Sequence, residues 1–349
     1  MSRDEGIVDT GSRGYSDHAR RIAKAGPGRR DAALKQAGDT MFKNDLFAGQ
    51  RVLITGGGTG LGLIMAERLA GLGAELHLCG RRLAVLDEAA QMLRHQHGTK
   101  VVTHAVDIRD AAAVDAMIET IWTRHGPLDC LVNNAAGNFI SRTEDLSPNA
   151  FHAISDIVFR GTFYTTQAVG KRWIRDGHPG SVLSIVVTWV WTGSPFVVPS
   201  AMSKAGVDAM TKSLAVEWGR HGIRCNAIAP GVIPTEGAGS RLRPQDSQQD
   251  AMSGQNPTGR IGQPQDIGNL AAFLLARDNS WINGQTIALD GGDYLANGAY
   301  FKQYLDWGDA EWQAARERIA ARNAADRAGR TVNAPTPTHT STSSQAGDN

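Results

Sequence analysis

Leu53-Ile54-Thr55-Gly56-Gly57-Gly58-Thr59-Gly60-Leu61-Gly62 is the stretch that decides the fold of this chain. A β-branched, apolar run over residues 51–55 enters a turn made of Gly56, Gly57, Gly58, Thr59 and Gly60, and a helical pattern over 61–72 leaves it. Glycines permit the tight turn and let backbone N–H groups approach an anion, while the positive end of the next helix points at the same place. Such a turn in a β-α-β unit reads as a pyrophosphate cradle, with Gly56 to Leu61 as its candidate residues. A turn with a purely structural purpose is the plainer alternative, and the strand before it and helix after it argue against that.

Working outward, buried-strand patterns at 75–79, 101–105, 129–133, 181–187, 224–229 and 285–289 alternate with helical patterns at 83–95, 111–124, 148–175, 200–221 and 265–277. Pro148 suits a first helical turn, with Ser147 as its N-cap. Alternation of this kind predicts an α/β fold, a doubly wound parallel sheet covered on both faces, with ligands outside the carboxyl ends of the strands. We expect one such domain over residues 46–300. Residues 1–45 read as a partly disordered, Gly- and Arg-rich arm, solvated or in contact with another subunit. Residues 301–328 read as a helical extension carrying Trp312 and Ile319, and 329–349 as a disordered tail almost without core-forming side chains.

Composition excludes several classes. Among 349 residues, 41% are hydrophobic, enough for a full core, and a net charge of +1 gives no pull towards nucleic acid. No apolar run reaches the ~18 residues of a membrane span. The three cysteines, Cys79, Cys130 and Cys225, form no paired motif and read as reduced, buried thiols. His95 and His97 lie two apart, pointing to different faces of a helix, so no metal site is expected. The acids Asp4, Glu5 and Asp9 argue against a secretory signal, and the expected location is cytoplasmic, or an organelle matrix if the basic stretch around Arg20–Arg30 is a targeting segment.

The second strand ends in Arg81-Arg82, where a site selective for NAD would carry an acid for the ribose 2′-hydroxyl. Two arginines suit a 2′-phosphate, and cations are unfavourable at a helix start, so NADP(H) is the expected cofactor. Asp107, after the third strand, is placed either to accept from the adenine amino group or to cap the next helix. Asn133 to Gly137 form a narrow, small-residue stretch suited to the adenosine ribose. Pro230-Gly231-Val232-Ile233 follow the sixth strand and can cup the nicotinamide carboxamide with backbone groups.

Taken together, Thr55-Gly56-x-x-x-Gly60-x-Gly62, Asn133-Asn134-Ala135, the segment from Ser200 to Lys204 and Pro230-Gly231 resemble the short-chain dehydrogenase/reductase superfamily. The stretches 134–141, 146–150, 193–201 and 280–284 resemble its 2,4-dienoyl-CoA reductases, the mitochondrial type above all, over about residues 46–327. That resemblance implies a homotetrameric Rossmann enzyme that uses NADPH to convert trans-2,4-dienoyl-CoA to trans-3-enoyl-CoA in fatty acid β-oxidation. It implies cofactor contacts at Gly56 to Leu61, Arg81, Asp107, Lys204 and Pro230 to Ile233. It implies acyl-CoA contacts at Phe139, Ser147 and Arg241 and a thioester contact at Asn138. Arg81, beside the adenosine phosphate, is counted with the substrate contacts as well. Arg241 also has a physical case of its own, as a loop cation able to meet a CoA phosphate; a solvated loop charge is the alternative.

The superfamily's tyrosine, four residues before the lysine, is Ser200 here. Mitochondrial-type dienoyl reductases share that serine and place their tyrosine further upstream, at the position of Trp189. This chain therefore has neither phenol. The superfamily's helix asparagine is Val158, its catalytic serine is Val187, and Ser184 and Thr188 are the nearest hydroxyls. Indole donates a hydrogen bond without usefully ionising, so delivery of a proton to an alkoxide is disfavoured. Stabilising the oxyanion of a thioester needs donors only, for which Trp189, Asn138 and Ser200 are candidates, beside Lys204. On an extended segment Trp189 and Trp191 share a face, so lining an acyl pocket is an equal alternative. A reductase of another carbonyl substrate and a catalytically silent NADP(H)-binding protein are the competing functions.

Overall fold

A computed structural model describes residues 41–235, 256–297, 308–315, 317, 318, 321 and 324. Seven strands form one parallel sheet: β1 (Arg51–Thr55), β2 (Glu75–Gly80), β3 (Val101–Ala105), β4 (Cys130–Asn133), β5 (Gly180–Ile185), β6 (Ile223–Pro230) and β7 (Thr286–Leu289), in the order β3-β2-β1-β4-β5-β6-β7. The chain winds outward from β1 to β3 and then back across to β4, so the strand order reverses between β1 and β4. A crevice opens there at the carboxyl ends, the place where doubly wound sheets bind ligands.

Alternation along the strands sends side chains into two layers. Val52 and Ile54 pack with α1 (Gly60–Ala70), α2 (Leu83–His97) and the helix Pro264–Leu275 on one face. Leu53, Leu131 and Val182 pack on the other face with α3 (Ala111–His125), the helix Thr162–Asp176 and the helix Val198–Gly219. Both faces are thus covered, as continuous apolar strands require.

Two boundaries depart from the sequence reading. The pattern over 148–175 is broken: α4 (Pro148–Ser155) runs into a π-helical turn at Asp156–Gly161 before α5 (Thr162–Asp176) begins. Gly161 lets that turn pack closely on Ile108, because a Cβ on it would stand 2.6 Å from the Ile108 side chain. The extended reading of 188–191 is also wrong. Thr188 has helical backbone angles and α6 (Trp189–Thr192) is a single helical turn, followed by α7 (Val198–Gly219) and, after β6, α8 (Pro264–Leu275). The three cysteines are buried free thiols, each pushed up to about 12 chiefly by burial. The described residues fall into two compact units that divide after Tyr294; in the second, residues 309–315 are helical and Trp312 is exposed. Arg241, Ile319, nearly all of the 1–45 arm and the 329–349 tail lie outside the described residues.

Candidate active site

The glycine turn is held by side chains of the neighbouring strand end. Gly56 takes a left-handed φ of 65°, open to glycine at no steric cost, and donates its N–H to Cys79 O at 2.8 Å. Thr55 Oγ1 accepts from the N–H groups of Asn134 and Ala135 at 3.0 and 3.1 Å, and Asn134 Nδ2 donates back to Thr55 O and Gly56 O at 3.1 and 3.2 Å. Gly62 seals the contact: a Cβ there would stand 2.3 Å from Gly56 O and 2.5 Å from Asn134 Nδ2. The two motifs 55–62 and 133–135 are therefore one structure, with Asn133 itself turned inward to Thr166 Oγ1 at 2.8 Å.

A dinucleotide fits this turn. The first turn of α1 carries no acid, and its N-cap Thr59 spends no side-chain bond on the helix, leaving the N–H groups and dipole for an anion. Arg81 and Arg82 are exposed at the end of β2, and neither makes an ion pair among the described residues. Asp107 lies beside them. It accepts from Arg109 through both oxygens, the shortest contact being 2.6 Å, and this pair, with Arg81 nearby, holds its carboxyl below the usual range. Asp107 is not the cap of the following helix. That position belongs to Asp110, which accepts from the N–H groups of Ala112 and Ala113 at 2.9 and 3.0 Å.

Beyond β6, Gly231 N–H donates to Leu289 O at 3.0 Å, and Val232 O accepts from Gly262 N–H at 2.8 Å. The Pro230–Ile233 segment is thus fastened to the end of β7 on one side and to the loop before α8 on the other. Val232's carbonyl is already engaged, so any contact this segment makes to a carboxamide comes from its other backbone groups.

Ser200 and Lys204 lie one turn apart on α7, so they share a face. Both are buried, and Lys204 Nζ donates to Ile185 O at the end of β5. Burial lowers its pKa from 10.5 to about 8. The ammonium is therefore retained at neutral pH in a low-dielectric place, where it acts strongly on nearby charge. α6 packs against α7, which bears Ser200 and Lys204; Trp189 is half-buried, and its indole N–H has no partner among the described residues. Trp191 stands about two hundred degrees further round the turn, and it is exposed and rests on the Tyr294 ring, with centroids 4.9 Å apart. The two indoles do not share a wall.

Asn138 Oδ1 accepts from Phe139 N–H at 2.9 Å, which orients its carboxamide and leaves Nδ2 as a donor. Ser141 N–H donates to Phe196 O at 2.9 Å, tying the 138–141 loop to the 194–197 loop. Ser147 caps α4 by accepting from Ala150 N–H at 3.2 Å, and its hydroxyl hydrogen remains available. Ser184 is buried against Asn133 Nδ2 at 3.4 Å, so it belongs to the sheet interior and not to the site.

Sequence reasoning missed Phe196 and Tyr294. Phe196 is the one described non-glycine residue with a left-handed φ, 64°, and it is exposed. A strained, exposed aromatic beside a binding loop is a functional signal, and only the backbone geometry reveals it.

The family described as Enoyl-(Acyl carrier protein) reductase matches residues 56–293. The chain belongs to the short-chain dehydrogenase/reductase family, and it is an oxidoreductase. It is 46% identical over 280 residues to an uncharacterised oxidoreductase of Caenorhabditis elegans, covering 78% of this chain and 89% of that one. It is 40% identical over 293 residues to a protein of the same organism named as a probable 2,4-dienoyl-CoA reductase producing (3E)-enoyl-CoA, covering 82% of this chain and 95% of that one. A short-chain dehydrogenase of Bacillus anthracis, solved as a crystal structure, is 42% identical with a TM-score of 0.65, covering 70% of this chain and 96% of that one.

Proposed function

We propose that this short-chain reductase uses NADPH to reduce 2,4-dienoyl-CoA, or a closely related conjugated acyl-CoA, to the 3-enoyl-CoA. The observation that carries the reading is the pair on α7: a buried lysine cation and a buried serine one turn before it, with no phenol in the segment. A bound nicotinamide nucleotide would supply the hydride, held by Gly56 to Leu61, Arg81, Asp107, Lys204 and the 230–233 segment.

The chain's own residues then have one electrostatic task. Reduction of a conjugated thioester moves negative charge onto the thioester oxygen, and donors aimed at that oxygen lower the barrier. Lys204 supplies a fixed cation, and the Asn138 amide, the Ser200 hydroxyl and the Trp189 indole supply neutral donors. Protonation at carbon follows from water, so no ionisable acid is needed. Reduction of a ketone would need a proton at the alkoxide, and neither indole nor serine hydroxyl delivers one readily. Phe139, Phe196 and Ser147 border the side from which an acyl chain enters, and Arg241 is proposed to meet a CoA phosphate.

The test follows NADPH oxidation with a 2,4-dienoyl-CoA against a panel of ketones and sugar acids. Turnover with the dienoyl-CoA alone supports the reading. Turnover with ketones alone assigns the site to carbonyl reduction, and nucleotide binding without any turnover makes the chain a silent binder.

NADPH is the proposed cofactor because Arg81 is an exposed, uncommitted cation at the ribose position. Arg81→Glu is expected to cut kcat/KM for NADPH by about 10–100-fold, the worth of one charge-assisted hydrogen bond, with little loss for NADH. Equal or better efficiency with NADH in the parent enzyme would overturn the assignment. A homotetramer is also proposed. Exposed Phe159, Phe163, Val216 and Trp281, the last two 85% and 95% accessible, support burial against other copies. A place in the β-oxidation of unsaturated acyl-CoAs goes with this substrate class. A cytoplasmic or organelle-matrix location is part of the same reading, and among the described residues no helix is long and apolar enough to cross a membrane.

A further inference from the structure

At the opposite end of the sheet from the crevice, three residues that the reductase reading does not use come together. Glu75 opens β2 and His77 follows two residues later on the same strand face. His125 ends α3, which covers that face. Glu75 Oε1 lies 3.7 Å from His77 Nε2 and 4.0 Å from His125 Nδ1, and the ligand atoms of all three residues fall within 4.8 Å of one another.

We propose that Glu75, His77 and His125 form a binding site for a divalent d-block cation, Zn²⁺ by the chemistry of its donors, that ties the last turn of α3 to the amino end of β2. Two imidazoles and a carboxylate are a common three-ligand zinc set, with water in the fourth position. Tetrahedral bonds of ~2.0–2.1 Å place ligand atoms about 3.4 Å apart, so the observed spacings need a contraction of well under 1 Å for the two measured pairs.

His77 is the independent sign that the cluster faces a ligand. Its side chain is fully buried, yet Nε2 is a buried polar atom with no hydrogen-bond partner among the described residues. Orphaned buried nitrogens of this kind are uncommon and call for an explanation. Its other nitrogen is engaged: Nδ1 lies 3.0 Å from His104 Nε2, and the two rings stack with centroids 5.2 Å apart. The tautomer that donates from Nδ1 to His104 aims the Nε2 lone pair at Glu75 and His125, which is how an outer partner orients a metal-binding histidine. Arg51 Nε sits 3.4 Å from Glu75 Oε2, so it holds the second carboxylate oxygen and leaves Oε1 for the site.

The cluster already attracts a cation. Lys100 Nζ lies 2.6 Å from Glu75 Oε1 and 3.2 Å from His125 Nδ1, over two of the three donors. More than half of the Lys100 side chain is exposed, so it can swing away at small cost when a doubly charged ion enters. Lys100 is thus a competitor built into the site, and with Arg51 nearby it weakens the metal's hold.

The full-length protein, freed of metal with a chelator, is titrated with Zn²⁺ by calorimetry and with Co²⁺ by visible absorption. The expected result is one equivalent bound per chain with tetrahedral cobalt bands. Lys100→Gln is expected to bind several-fold more tightly. His125→Gln, a change at a partly exposed helix end that the fold tolerates, is expected to bind about tenfold or more weakly. His95→Gln with His97→Gln serves as a surface control and should leave affinity unchanged. No binding by the parent and Lys100→Gln proteins would overturn the proposal and leave Lys100 as the cluster's own cation. Binding undiminished in His125→Gln would overturn it as well, by placing the metal elsewhere. None of these readouts depends on the identity of the acyl-CoA.

Discussion

Lys204→Met is expected to abolish reductase turnover while leaving the melting temperature unchanged or raised. Lys204 is 7% exposed, and its one acceptor among the described residues is the Ile185 carbonyl. Burial disfavours the charged form, as its pKa of about 8 against 10.5 records. That difference corresponds to roughly 3 kcal/mol of destabilisation at neutral pH, where both folded and unfolded chains hold the proton. The unfolded chain keeps its proton up to 10.5, while the folded chain releases it near 8. The unfolded state therefore binds more protons in that window, and the parent protein gains stability as pH rises through it. Methionine has similar volume and no charge, so the penalty disappears and only the bond to Ile185 is lost. Turnover behaves in the opposite way. Loss of the cation is expected to lower kcat by at least about 10²–10³-fold, the effect of removing one oxyanion-stabilising group. The parent enzyme should also lose activity as pH rises through about 8, where Lys204 becomes neutral. Thermal melts, a pH–rate profile and NADPH oxidation measure all three. A variant that melts well below the parent, or that keeps its turnover, would remove Lys204 from the role assigned to it.

Trp189→Phe should lower kcat with a 2,4-dienoyl-CoA by about 10²–10³-fold, with little change in KM. Phenylalanine keeps the apolar ring and removes only the N–H, so a pocket-wall role would leave the rate intact and alter KM instead. Trp191→Phe is the internal comparison. Trp191 points to the other side of the α6 turn and packs at a tilt on the Tyr294 ring, so its replacement should act on stability or KM and spare kcat. Trp189→Tyr restores a phenol near Lys204 and is expected to keep dienoyl turnover while admitting some ketone reduction. An unchanged rate in Trp189→Phe would take the indole out of the mechanism and leave Asn138, Ser200 and Lys204 to stabilise the oxyanion.

Most of the architecture was legible in the chain, because each strand and helix announces itself within a few residues. Apolar alternation, the Gly56–Gly62 turn, Pro148 after Ser147, and Arg81-Arg82 at a strand end are local signals, and the structure puts each at the carboxyl end of the sheet or at a helix start. Ser200 and Lys204 needed only helical spacing to share a face. The turn at Trp189–Thr192 was not legible. Its β-branched and aromatic residues favour extended backbone, and its packing on α7 overrides that preference.

The sequence by itself determined the fold class, the phosphate turn, the lysine and the absence of a phenol, since these depend on residue type and short spacing alone. Tertiary structure decided what lies across space. It fastened Asn134 to Thr55 and Gly56, turned Trp191 away from Trp189, strained Phe196, gave the helix cap to Asp110 and paired Asp107 with Arg109. It also brought Glu75 and His77 to His125, forty-eight residues beyond His77, with Lys100 over them. His77 lies between Leu76 and Leu78 on a buried strand. Its neighbours on that face come from another strand and a covering helix, and no local pattern encodes which side chains a sheet and its helices will press together.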